Sequence, residues 1–446
     1  MEFEQALAIA NHAVSSKIAR NLTEMEFNLL FGAWNNWNYD RIATHSGYSI
    51  NYLQRDIGPK FWKLLSDALG RKVNKTNLRG LLSQLNAPIP NRQLQNQPSV
   101  DWGKAPDVSS FCGREEEIEK LTQWIIEERC RLIALVGMGG IGKSALATKV
   151  SQLVQADFDF VIWRSFRNAP LLETLLAELV PFLSQQQDIQ AKPERLLYWL
   201  RTHRCLVILD NQDTLLQPGQ HAGNYQPDFS NYSELFQLLG ESSHQSCILL
   251  TSREKSAEVA LFEDWNGGVR SLFLKGSCEA SLASIYSKGL VGSEAEKHYL
   301  CELYYCNPLA LKMVATSIQS LFDGVITTFL QTETPIFNGI RRLLDQQFQR
   351  LSPLEQIIMY CLAINREWTA ITKLQADIVP AVYRASLLES LESLTWRSLI
   401  EKRSGEYTQQ PVIMEYVTDC LIRQLATESI TVQTSFFNRH ILKLTN

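Results

Sequence analysis

The chain has 446 residues, 45% hydrophobic and 20% charged, a composition that carries about three folded domains and excludes a disordered or low-complexity class. Its 43 Lys/Arg against 47 Asp/Glu leave a net charge of −4, which argues against wholesale coating of nucleic acid. The longest apolar runs, such as Leu132–Val136 and Cys205–Leu209, are strand-length and far below the ~18 residues of a membrane-spanning helix, and the acidic N-terminus lacks the basic start of a secretory signal.

The first 85 residues read as helical throughout. Residues 1–100 carry a balance of +4, leaving −8 on the rest, so a mildly basic head permits nucleic-acid binding without demanding it. Within the head, Leu22–Leu30 and Tyr39–Asp56 have the pattern of a helix-turn-helix. Ala43 would allow close helix packing, Gly47 would make the turn, and Ser49 would cap the second helix. That helix would present Asn51, Tyr52, Gln54 and Arg55 to base edges or phosphates, with Lys60, Lys63, Arg71, Lys72 and Lys75 adding phosphate contacts. The segment resembles the helix-turn-helix of response-regulator and sigma-factor DNA-binding regions. The aromatic cluster Trp34, Trp37, Tyr39, Phe61 and Trp62 is either plain core or a protein-docking face. Both DNA binding and recruitment of a protein partner therefore stand as readings of the head.

Residues 86–107, with Pro88, Pro90, Pro98 and Pro106 among Asn and Gln, read as a linker. From 108 to 275 helical and strand-like segments alternate, as a doubly wound parallel sheet requires. The strand candidates are Leu132–Val136, Phe160–Arg164, Leu206–Leu209, Ile248–Thr251 and Ser271–Leu274. Gln217–Ser230, rich in Gly, Pro, Asn and His, reads as an insertion or mobile loop. The chain is helical again from 276, with a hairpin expected in Ser398–Val412 around Lys-Arg-Ser-Gly-Glu. Nine scattered cysteines, with no Cys-x-x-Cys pair, read as reduced thiols in a cytoplasmic protein.

The chemistry concentrates in Gly137-Met138-Gly139-Gly140-Ile141-Gly142-Lys143-Ser144, which fits the pattern Gly-x4-Gly-Lys-[Ser/Thr]. A buried strand precedes it, and a helix starts at Ser144-Ala145. The glycines let backbone N–H groups turn inward around phosphate oxygens, and the helix N-terminus adds positive potential. Lys143 would pair with β/γ-phosphate oxygens, and the Ser144 hydroxyl would ligate Mg2+. A second magnesium partner should end a buried strand beside the P-loop strand, and Asp210 at the end of Cys205-Leu-Val-Ile-Leu-Asp210 is the candidate. Asn211 cannot serve as a base; Asp213 is the remaining acid, so slow or absent hydrolysis is as compatible with the residues as turnover. Arg253, after the strand Cys247–Thr251, is positioned to read the γ-phosphate.

Taken in order, Phe111-Cys-Gly113-Arg114-Glu115, the P-loop, Phe158–Arg164, Leu-Val-Ile-Leu-Asp210-Asn, Ile-Leu-Leu-Thr-Ser-Arg253 and Asn307-Pro308-Leu309-Ala310-Leu311 resemble the NB-ARC module of STAND-class NTPases, shared by plant resistance proteins and apoptosome scaffolds. The resemblance covers roughly residues 107–425. It implies an α/β P-loop domain (108–275), a helical bundle (276–340) and a winged-helix domain (341–425), preceded by an all-α head (1–85) and followed by a tail (426–446). It implies ADP or ATP with Mg2+ at their junction, Gly113 and Arg114 on the adenine side, and Pro308 against base or sugar. The bundle motif is Cys306-Asn-Pro308 where the family has Gly-Leu-Pro, and Asp210-Asn211 stands where two Asp are usual. Gln410 falls near the position of the His that touches the ADP β-phosphate in the family, which leaves a donor without a charge. Members of the class carry a repeat sensor after the winged helix, whereas this chain stops at Asn446. The expected function is a nucleotide-controlled switch that self-associates in its ATP state, with an ATP-controlled transcription regulator as the rival.

Overall fold

Strands buried on both faces should read as unbroken apolar runs, and each expected run is a strand in the computed structural model of the chain. The structure describes residues 22–69, 72–85, 98–263, 267–332, 336 and 338–428, with scattered positions between 3 and 17. Arg71, linker residues 86–97 and the tail beyond 428 lie outside the described residues. Six parallel strands, β1 (Ser99–Asp101), β2 (Leu132–Val136), β3 (Phe160–Ser165), β4 (Cys205–Asp210), β5 (Cys247–Ser252) and β6 (Val269–Phe273), lie in the order β1-β3-β4-β5-β2-β6. Successive side chains alternate between two cores. Leu132, Ala134 and Val136 face one with the helix Leu172–Leu183. Ile133 and Leu135 face the other with the helix Lys143–Val154.

Two expectations change here. The strand ending in Asp210 is not beside the P-loop strand, because β5 lies between β2 and β4. Local pattern does not encode strand order, and the carboxyl ends of β2, β4 and β5 open on the same edge in either arrangement. The stretch read as linker also contains β1, which pairs Ser99–Asp101 with Phe160–Ile162. A three-residue edge strand with one apolar side chain leaves no periodic signal.

The head, residues 1–96, is a separate compact unit. Helices Glu24–Trp34 and Tyr39–Ser46 begin at side-chain caps Thr23 and Asn38, and Gly47 ends the second at φ 76°. The tightest approach is at Gly32, where a Cβ would lie 2.3 Å from Ile42 Cγ1. From Ser49 the chain runs through Ile50–Tyr52, a π-helical turn Leu53–Ile57 and the helix Gly58–Leu69. Trp34, Phe61 and Trp62 are buried, so these three aromatics are core.

In the larger unit, helices from Cys278–Ser287 to Ile326–Leu330 form a bundle, and the helix Asn338–Phe348, packed on both Pro308–Leu321 and Pro411–Glu428, leads out of it. Next comes a winged-helix arrangement. Its helices are Pro353–Asn365, Ile371–Asp377, Arg384–Trp396 and Pro411–Glu428, with a small antiparallel sheet β7 (Thr369–Ala370), β9 (Glu406–Thr408), β8 (Glu401–Arg403). Ser404 and Gly405, both at positive φ, make the expected hairpin turn. Bundle and winged helix share one hydrophobic core, into which Met138 of the P-loop projects. Cys278 and Cys306 form a disulfide, Cα–Cα 4.9 Å, so the all-thiol expectation fails for this pair. The two cysteines, 28 apart in sequence, meet only because the helices Cys278–Ser287 and Pro308–Leu321 pack together.

The loop expected to be mobile is pinned. Gln217 N donates to Asn224 O (2.7 Å), Gly219 N to Arg350 O (2.8 Å), and Arg397 Nη2 to Gln220 O (2.6 Å). Its Gly and Asn residues supply turns, and its backbone is satisfied by the winged-helix side of the molecule.

If β4 is the packed centre described, Ile208→Ala should lower stability by about 2–5 kcal/mol, seen as a lower urea midpoint. Leu153→Ala, at a position 56% exposed, should leave the midpoint nearly unchanged.

Candidate functional site

The P-loop leaves β2 at Val136 and enters the helix Lys143–Val154 through Gly142 at φ 104°, with Gly140 at φ 79°. Five successive carbonyl oxygens of the loop are held by donors from the protein. Lys143 Nζ donates to Gly137 O (2.7 Å) and Met138 O (3.0 Å). Asn307 Nδ2 donates to Gly139 O (3.0 Å), Leu309 N to Gly140 O (3.4 Å), and Arg114 Nη2 to Ile141 O (2.7 Å). Because a trans peptide points its N–H opposite its C=O, fixing these oxygens outward turns the following N–H groups to the other side. That is the electropositive concavity that phosphate oxygens need.

Asp210, at the end of β4, collects three donors. Ser144 Oγ donates to its Oδ1 (2.5 Å), Thr251 Oγ1 to the same oxygen (2.6 Å), and Asn211 Nδ2 to Oδ2 (2.7 Å). Asn211 sits at φ 65°, a conformation Asn tolerates, and its amide N donates to Thr251 Oγ1 (3.0 Å). A second carboxylate here would meet Asp210 directly, whereas the carboxamide donates to it. Arg253, carried by β5, lies next to the P-loop, and Asp213 Oδ1 accepts from its backbone N (3.0 Å). Asp213 Oδ2 is 3.6 Å from Arg253 Nε. The Asp213 carboxylate is thus turned toward Arg253. Burial lowers the Lys143 ammonium to about 8, against the opposing pull of Asp213 and Asp210, with Arg253 lowering it further.

Arg114 is buried at φ 71° and bridges Ile141 O to Lys275 O (2.9 Å), with Glu117 on Nη1 (2.9 Å). Burial lowers its guanidinium, and Glu117 opposes that shift. Gly113, at φ 69°, abuts Ser277 and Glu279. Pro308 opens the helix Pro308–Leu321 at its first turn, capped by Asn307 Oδ1, which accepts from Leu309 N and Ala310 N. Ala145 lies in the first turn of the P-loop helix. Gln410 is buried against a cleft of about 520 Å³ lined by Met138, Ile141, Lys275, Tyr305 and Glu401. Its Oε1 has no partner among the described residues. Burial pushes the neighbouring Tyr305 phenol up to about 12. A cleft of about 490 Å³ flanks the other side at Asp101, Lys104, Arg164, Ser165 and Asp210.

Three features carried no signal in the sequence. Thr251 holds Asp210. Gln347, in the helix Asn338–Phe348, is buried over Gly139 with both carboxamide atoms unpartnered among the described residues. Glu254, next to Arg253 and 1% exposed, pairs with Arg350 and with Arg397 Nη1 (3.0 Å). Burial pushes the Glu254 carboxyl up, opposed by the two guanidinium groups. The residues fit a nucleotide and a divalent cation. The inward N–H groups and Lys143 could hold phosphates, the Ser144 and Asp210 oxygens could hold the cation, and the unpartnered Gln347 amide supplies a further donor. In the head, Asn51, Tyr52, Gln54 and Arg55 are exposed, as expected of them.

A model described as the NB-ARC domain matches residues 114–217. The chain carries an NB-ARC domain. Those residues hold the phosphate loop, Asp210 and Asp213, on a parallel sheet with the fold of a P-loop NTPase. A model described as the N-terminal HTH of vWA-MoxR associated proteins matches residues 1–85. Over 352 residues the chain is 47% identical to an uncharacterised WD repeat-containing protein of Nostoc, across 75% of this chain and 28% of that protein. It is 27% identical over 131 residues to a probable disease resistance protein of Arabidopsis thaliana, across 27% of this chain and 12% of that one. The chain thus spans well under a third of these relatives. A Walker-type ATPase of Pyrococcus abyssi aligns with a TM-score of 0.48 at 18% identity, over 71% of this chain and 99% of that one. A STAND protein with a tetratricopeptide repeat sensor from Pyrococcus horikoshii aligns at 0.36 and 18%, over 77% and 49%.

Removing Arg114 would leave the Ile141 carbonyl buried and unpaired, at about 1–3 kcal/mol, and would free the part-buried Lys275 carbonyl. Arg114→Ala should lower the melting temperature of the NB-ARC unit, and Arg114→Lys should restore little, because an ammonium cannot reproduce the fork.

Proposed function

We propose that the chain is an ADP/ATP-binding switch, with Mg2+ as the nucleotide's companion. In this switch ADP holds the α/β domain, bundle and winged helix closed, and exchange for ATP releases the winged helix for self-association. The observation that carries this reading is the meeting of all three parts on one P-loop. Asn307 and Leu309 come from the bundle and Gln347 from the helix leading into the winged helix. Glu254 clasps Arg350 and Arg397 one residue after Arg253. A bound Mg2+–nucleotide supplies the charge that these donors surround. Lys143 would exchange its two loop carbonyls for phosphate oxygens, and Ser144 and Asp210 would hold the metal. Gly113, Arg114 and Pro308 would border the base, and Gln410 would face the phosphates or sugar from its buried position.

Hydrolysis is slow on this reading. Asn211 donates to Asp210 instead of orienting water, and Asp213 is turned toward Arg253. Function then comes from a population shift between two states with different nucleotide preference. We place such a switch in the cytoplasm; no helix among the described residues is long and apolar enough to cross a membrane.

Acid extraction of the purified chain tests the reading. ADP near one per chain, lost in Lys143→Ala, is the expected result; no nucleotide in either, and no binding on titration, would sink it. The clasp gives a second test. Glu254→Gln leaves the buried Arg397 and half-buried Arg350 guanidinium groups facing a neutral amide, so ADP release should accelerate at least about tenfold. An unchanged release rate would remove the clasp from the mechanism.

A second reading rests on the exposed Asn51, Tyr52, Gln54 and Arg55 behind the Ser49 cap, which suit a duplex groove. On that reading Arg55→Ala weakens DNA binding at low salt and leaves nucleotide binding intact. A head without DNA affinity at low salt leaves recruitment of a protein partner as its role.

A further inference from the structure

We propose that Gln347 is a phosphate-contacting residue of the nucleotide site, its Nε2 donating to the terminal phosphate of the diphosphate held in the closed arrangement. The proposal rests on the nucleotide-switch reading above and identifies the residue through which ADP holds the winged-helix side. Gln347 is 5% exposed, and neither Nε2 nor Oε1 has a hydrogen-bond partner among the described residues. A buried carboxamide left this way is a standing penalty that a folded protein rarely tolerates without a ligand.

Its position says what the ligand is. A methyl group on Gly139 would lie 3.2 Å from Gln347 Nε2, 3.2 Å from Leu343 Cδ1 and 3.6 Å from the Arg253 guanidinium carbon. The amide donor and the Arg253 charge therefore converge on one point of the phosphate loop. Gln347 also borders a hollow of about 10 Å³ shared with Arg253, Glu254, Arg350 and Arg397. That space is at the lower bound for one water. The P-loop lies on the side of the amide that faces Arg253, and an anion with several acceptor oxygens suits a donor placed beside a guanidinium.

The helix carries the consequence outward. Gln346 Oε1 accepts from Arg253 Nη1 (3.3 Å), and Arg350, just beyond the helix end, pairs with Glu254. One short segment, 346–350, thus touches the loop, the arginine beside it and the clasp. Loss of the Gln347–phosphate bond frees that segment at its centre.

The test uses the full chain with Mg2+–ADP and Mg2+ with a non-hydrolysable ATP analogue as probes, on wild type, Gln347→Leu, Gln347→Glu and Lys143→Ala. Gln347→Leu should weaken ADP about tenfold, as loss of a hydrogen bond to a charged group does, and Gln347→Glu should weaken it further by repulsion. The ATP analogue, bound in the open form, should change by less than about threefold. Without nucleotide, Gln347→Leu should melt at or above wild type, because it removes an unpaired buried amide. ADP affinity within about twofold of wild type in both Gln347 variants, with binding lost in Lys143→Ala, would overturn the proposal. So would a lower melting temperature without nucleotide and an unchanged ADP affinity, which marks a packing residue. If Lys143→Ala binds ADP as wild type does, the nucleotide reading itself fails and the proposal falls with it.

Discussion

Everything at this site depends on the direction of five carbonyl groups. Glycine-rich loops can turn their N–H groups inward, but the same freedom lets them turn elsewhere, and glycine has the largest conformational entropy to lose. Here the loop's carbonyls are held, two by its own lysine and three from outside. Lys143, Asn307, Leu309 and Arg114 each hold one or two carbonyl oxygens between Gly137 and Ile141. Two of these four residues belong to the bundle. The α/β domain therefore shapes its phosphate cradle only in part, and separation of the bundle would relax Gly139 and Gly140 first.

The same logic links Arg253 to the winged helix. β5 lies between β2 and β4, so its carboxyl end supplies Thr251 to Asp210 and Arg253 to the edge of the loop. One residue further, Glu254 is buried between Arg350 and Arg397, and Arg397 also reaches the carbonyls of Arg350 and Gln220. A buried carboxylate facing two guanidinium groups is weak support for net stability but strongly penalises loss of either partner. That asymmetry suits a clasp that is either fully made or fully broken. A displacement of Arg253 by a phosphate would act on it through one peptide unit.

The sequence shows some of this and hides the rest, for physical reasons. Runs such as Leu132–Val136 and Cys205–Asp210 are legible because a parallel sheet buries both faces. The P-loop is legible because its chemistry fixes residue types at fixed spacing. The hairpin around Ser404-Gly405 is legible because two successive positive φ values demand such residues. Strand order, the disulfide between Cys278 and Cys306 and the pinning of Gln217–Ser230 are set by contacts between distant segments, and no local pattern writes them. Gln347 is the limiting case. Its environment comes from Leu343 on its own helix, Gly139 on the loop and Arg253 on the sheet, and nothing in Asp345-Gln-Gln347-Phe distinguishes it from a surface glutamine.

Gly140 shows why closure and nucleotide binding are one problem. At φ 79° it can face phosphate, and a Cβ there would lie 2.5 Å from Leu309 Cβ. The residue therefore has to be glycine twice over, once for its dihedral and once for the bundle's approach. Leu309 N meanwhile donates to Gly140 O on the face opposite the inward N–H groups. Bundle and phosphate are thus placed on opposite sides of the same peptide units, and each fixes the orientation that the other requires. An alanine at this position would push the bundle off and deform the cradle together, which no single-sided loop would do. Coupling between domain position and nucleotide needs no long pathway here, because the loop's own backbone is the shared element.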